Sequence, residues 1–63
     1  MIEYIVKIFE ENKMGSELMG VHKFYNADKA DAFAREMSWL YDWVEVSNSE
    51  EEETTCYIQG KIY

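Results

Sequence analysis

The sequence contains no proline and a single cysteine, Cys56, and its three glycines, Gly15, Gly20 and Gly60, stand apart from one another. One thiol excludes an internal disulfide framework and any zinc site built from several cysteines. Isolated glycines supply no phosphate-cradling loop. Positive charge is scarce too: six Lys and Arg stand against thirteen Asp and Glu, for a formal net charge of -7. A nucleic-acid binder draws most of its affinity from neutralising phosphates, so direct nucleic-acid binding is not expected. No window approaches the roughly 20 apolar residues of a membrane span. The opening MIEYIVKIFEEN places Glu3 where a secretory signal carries basic residues, and Lys7 interrupts its apolar run. A cytoplasmic location with no membrane partner is therefore expected, and a lone unpaired cysteine agrees with a reducing compartment.

What the chain does have is apolar material. Its 63 residues are 48% hydrophobic and 16% aromatic, too rich for a disordered tail. The length predicts a single domain over residues 1–63. A chain of this size buries only about 60% of its unfolded surface, so the core is thin.

From Ile2 to Phe9, Ile2, Tyr4, Val6 and Ile8 alternate with Glu3, Ile5, Lys7 and Phe9, which predicts a strand with its even side buried. Glu10 to Glu17 supplies a turn, and Leu18 to Tyr25 returns as a second strand whose inward side the pattern leaves open. Asn26 is placed to cap a helix, with Asp28 near the positive end of its dipole. Ala30, Phe33, Ala34, Met37, Leu40 and Tyr41 then follow helical spacing and predict the buried stripe, with Ser38 among the residues outside it. Trp43 to Ser47 reads as a third strand with Val44 and Val46 inward, and Thr54 to Tyr63 as a last one.

One helix with one apolar stripe lies across one face of a sheet. The expected fold is a two-layer α+β domain of order ββαββ, the helix packed on one face of a largely antiparallel sheet of three or four strands. The opposite face would then carry Ile5, Phe9, Trp43, Tyr57 and Tyr63. That patch exceeds what a soluble monomer usually exposes, so a second protein or a second copy is expected there.

Catalytic readings are weak. His22 and Cys56 cannot close a zinc site, and Glu50 to Glu53 lacks the alternating oxygen geometry of a calcium loop, so no metal or cofactor is expected. A Cys56–His22 nucleophile pair is less favoured than a buried thiol and a strand histidine. Enzymatic activity is not expected.

The acidic residues run from Glu3 to Glu53 through strands, helix and loops. Such charge keeps a small aromatic-rich protein dispersed, and it also steers a basic partner. Five Tyr, two Trp, three Phe and four Met favour binding, because interface cores are rich in these types. The stretch from Val21 to Val46, VHKFYNADKADAFAREMSWLYDWVEV, resembles the central part of small early bacteriophage proteins that inhibit host RNA polymerase. The resemblance implies a small phage-type or mobile-element regulator. The family's basic residues after the last strand are replaced here by the acidic Ser47 to Glu53, so no site residue is carried over.

The residues thus point to a non-enzymatic, acidic protein-binding module that inhibits or regulates a nucleic-acid-handling protein. Glu50, Glu51, Glu52 and Glu53 are the expected electrostatic contact with a basic surface, and Trp43, Tyr57 and Tyr63 the apolar anchors. The alternative is a self-associating subunit that closes its open sheet face in a homodimer.

Overall fold

Alternation and capping put the first elements where the pattern indicates. A computed structural model describes residues 2–50 and 54–63. The elements are β1 (Tyr4–Asn12), β2 (Gly15–Phe24), α1 (Ala27–Leu40), β3 (Trp43–Asn48), β4 (Thr55–Ile58) and β5 (Lys61–Ile62). They build one α+β layer pair: a five-stranded sheet of order β2-β1-β3-β4-β5, all neighbours antiparallel, with α1 across one side. Because β2 and β3 both run antiparallel to β1, they are parallel to each other. The connection between them has to cross the sheet, which is what α1 does.

The β1–β2 hairpin is longer and its turn tighter than the sequence pattern indicates. Strand pairing continues to Asn12 and Gly15, leaving only Lys13 and Met14 between them. The Asn12 side chain accepts the Met14 N–H at 2.8 Å, and Gly15 takes φ +120, a conformation costly for any other residue. A bulge at Met19 shifts the register between Ile8 and Phe9, so that Gly20 opposes Ile8 and Leu18 opposes Phe9.

The helix begins as expected, with the Asn26 side chain accepting the N–H groups of Asp28 and Lys29 at 2.9 and 3.1 Å. It lies on Val6, Ile8, Val44 and Tyr57 through Ala30 and Ala34, all buried. Phe33 packs between His22 and Phe24, which settles the inward side of β2. Two stripe positions differ from the pattern. Leu40 is 66% exposed, and Ser38 is buried in its place.

The sheet has five strands rather than three or four because the last run folds back on itself. Gln59 (φ 50) and Gly60 (φ 77) form the two-residue turn of a β4–β5 hairpin, whose primed geometry needs positive φ at both positions. Gln-Gly is not the usual Asn-Gly signal, so the turn is silent in the sequence. The helix compensates. The Ser38 carbonyl and hydroxyl accept the N–H groups of Gln59 and Gly60 at 3.3 and 2.8 Å, and Arg35 donates to the Gly60 carbonyl at 3.0 Å. This is why a serine occupies the buried line of α1.

The clamp can be tested by unfolding in urea. Ser38→Ala is expected to cost about 1–2 kcal/mol by orphaning the Gly60 N–H. Gly60→Ala is expected to cost about 1–3 kcal/mol for its backbone conformation. An added Cβ there would also run into the Trp39 indole. The pair should be less than additive, since each loosens the same turn. Two neutral results would show that α1 does not hold this hairpin.

Candidate functional site

The side on which β4 turns its residues decides which aromatics are available. In register, Val44 opposes Tyr57 and Glu45 opposes Cys56. Tyr57 therefore points under the helix with Val44 and is 5% exposed. The expectation that Tyr57 anchors a partner from the open face is corrected: it is a core residue. Its phenol donates a hydrogen bond to Asp31 on α1, and Arg35 both binds Asp31 at 2.9 Å and lies over the Tyr57 ring at 5.5 Å. The hydrogen bond from Tyr57, with help from Arg35, holds the Asp31 carboxyl below its ordinary range. Burial, and then the Asp31 carboxylate, push the Tyr57 phenol up to about 12.

Trp43 does lie on the outer sheet face, half-buried and stacked on Phe9 with ring centroids 5.3 Å apart. Its indole N–H donates to Glu45 at 3.3 Å. Tyr63 opposes Cys56 on the same face and is 81% exposed. Glu50 is exposed past the far end of β3 from Trp43, and its N–H donates to the Asn48 side chain at 3.0 Å. Glu51, Glu52 and Glu53 lie outside the described residues. The sequence-derived set is thus not one cluster: Trp43 and Glu50 flank β3 at opposite ends.

A second surface forms where α1 ends. Trp39 and Leu40, 69% and 66% exposed, line a groove of about 510 Å³ with Tyr41, Trp43 and Ile58, and its rim carries Glu10, Glu11 and Asp42. Among the described residues, no lysine or arginine lines it. Asp42 also accepts the Glu11 N–H, which ties the helix exit to the β1–β2 arm. Sequence reading missed this groove because Leu40 fits the helical stripe and Trp39 sits one step outside it. The only available signal was the adjacency of two large apolar residues at a helix end.

Charge divides between the two sides of the sheet. The outer face carries Ile5, Phe9, Leu18, Val21, Trp43 and Ile58, with Lys7, Lys23 and Lys61 among them. Three acids share it, Glu3, Glu11 and Glu45, so this face is neutral while the whole chain carries -7. Cys56 also sits on it, its thiol pushed up by burial and by neighbouring Glu45. Among the described residues, no group of three His, Cys, Asp or Glu side chains could hold a metal ion, and no helix is long and apolar enough to cross a membrane.

The Asp31–Tyr57 bond makes a signed prediction. A phenol raised in the folded state stabilises the fold fully below the unfolded value near 10 and loses that contribution as pH rises through about 12. Followed by phenolate absorbance, one tyrosine should titrate at about 12. In Asp31→Asn it should titrate lower, though burial still keeps it raised. No change on that substitution would detach Asp31 from Tyr57.

Comparison of the chain with protein-family models, with curated proteins and with solved structures finds no match.

Proposed function

We propose that this chain is a non-enzymatic protein-binding module whose partner presents a basic segment with apolar side chains. The observation that carries the reading is the groove at the end of α1, where Trp39 and Leu40 stand exposed inside a rim of Glu10, Glu11 and Asp42. Exposing two large apolar side chains in water is unfavourable unless something covers them, at roughly 1.5–3 kcal/mol for each fully buried. An acidic rim without lysine or arginine selects a cationic occupant and raises its association rate. Glu50 to Glu53 add to the net acidity that steers a cationic partner toward the chain, without forming part of the groove. The partner class that best supplies such a segment is a nucleic-acid-handling protein, whose binding cleft is basic. The module then acts as an inhibitor or regulator by occupying that cleft. The resemblance of residues 21–46 to phage inhibitors of host RNA polymerase points the same way.

The neutral outer face is a distinct feature and does not favour a basic partner. Trp43 contributes to the groove floor and Tyr63 stands at the margin of the outer face, so the electrostatic contact belongs to the groove.

Affinity capture from the native host, followed by identification of what co-purifies, tests the proposal. Partners with basic, nucleic-acid-binding surfaces should be retained. They should be released as salt rises from about 50 to about 500 mM, because screening weakens attraction between exposed charges. Leu40→Asp should abolish retention while leaving the melting temperature nearly unchanged, since the side chain is already in water. Retention that ignores both salt and Leu40→Asp would refute the groove as the binding site.

A further inference from the structure

Lys7 sits at the centre of the outer sheet face, exposed, between Val21 on β2 and Glu45 on β3. Among the described residues, ion pairs within 4.0 Å join Lys23 to Glu3 and Arg35 to Asp31 only; Lys7 has none. Around it lies the apolar part of the face. Leu18, Phe9 and Trp43 form one row across β2, β1 and β3, and Ile58, two residues on from Cys56, shares their side.

From this arrangement we propose that the outer face is closed by the same face of a second copy, about a two-fold axis running parallel to the strands between β1 and β3. Two sheets packed face to face keep their strands roughly aligned, within about 30°. The axis exchanges the two sides of the β1–β3 seam, so every residue on β1 faces, on the second copy, the β3 residue that is its own register partner. Lys7 then meets Glu45 of the second copy, Phe9 meets Trp43, Leu18 meets Ile58, and Val21 meets Cys56. An axis across the strands would instead bring Lys7 toward its own counterpart, a like-charge contact. Apolar residues thus oppose apolar residues, and the one central cation opposes the one central acid.

Charge selects the occupant. Two molecules of -7 repel wherever their acids meet, and this face is the broad surface on which the acids are balanced. A basic partner gains nothing from a neutral surface. A second copy finds its charges already in complementary positions, as a two-fold interface requires. The inference does not rest on the groove: Trp43 and Ile58 line both surfaces, while Trp39 and Leu40 belong to the helix end and take no part in the pairing.

Sedimentation with charge-exchanged variants tests it. Wild-type protein at about 100 µM is expected to sediment as a dimer and to dissociate on dilution. Lys7→Glu and Glu45→Lys should each be monomeric, because each opposes like charges across the axis. Mixing the two should restore a one-to-one heterodimer, since both cross-interface pairs are then opposite in sign. Each chain still carries its own like-charge neighbours in that mixture, so an effect within one chain would not be rescued. Val21→Glu, half-exposed and outside the core, places its acid beside Lys7 of the same strand pair; it should keep the fold and lose the dimer. A wild type that stays monomeric, a Val21→Glu protein that still dimerises, or a mixture that remains two monomers would each overturn the proposal.

Discussion

A helix of fourteen residues shields one side of a sheet, and the described residues form only one such helix. Everything distinctive about the molecule follows from how it distributes residues across that constraint. The covered side takes Val6, Ile8, Val44 and Tyr57 against Ala30 and Ala34, whose small side chains bring the helix close. The uncovered side takes Ile5, Phe9, Leu18, Val21, Trp43 and Ile58 with a balanced set of charges. The excess acid lies elsewhere on the chain. The two surfaces therefore suit different partners, one cationic and one of the same kind as the chain itself.

What makes five strands possible in so short a chain is the attachment of the β4–β5 hairpin to α1. A two-residue strand such as Lys61–Ile62 has little pairing of its own to hold it. Ser38 and Arg35 bind the turn backbone, and Asp31 binds Tyr57 one strand inward. The three helix residues are spaced at i, i+4 and i+7, a single stripe down the helix flank. These bonds also fix which way β4 faces. With Tyr57 drawn beneath the helix, Cys56, Ile58 and Tyr63 are left on the outer side. The clamp thus sets the make-up of the outer surface as well as the stability of the hairpin.

Much of the inner layer was legible in the sequence because periodicity reports burial directly. The even side of β1, the Asn26 cap, the Ala30–Ala34 line and the inward Val44 all follow from spacing. What was not legible depended on contacts between distant segments. Nothing local says that Gln59 and Gly60 turn the chain, since the supporting bonds come from residues over twenty positions earlier. Once that turn is missed, the last run reads as one strand, and Tyr57 is assigned to the wrong side. Leu40 shows the same limit from the other direction: helical spacing is right, but the sheet ends before the last turn of the helix. The groove is the product of that overhang. Alternation along β3 gives the outer position of Trp43; Tyr63 lies outside because the Gln59–Gly60 turn sets it opposite Cys56, not because it shares a side with Tyr57.

The division between a closed inner layer and an outer face awaiting its own copy can be read at one atom. The Cys56 thiol belongs to the outer face, half-buried beside Glu45, and would oppose Val21 of a second molecule. Its alkylation rate at mildly alkaline pH, measured across a dilution series of native protein, reports both facts at once. The account predicts steady modification in dilute solution and strong protection as concentration rises. A rate that does not change with concentration contradicts it, since the outer face would then not be covered and uncovered by a second copy over that range.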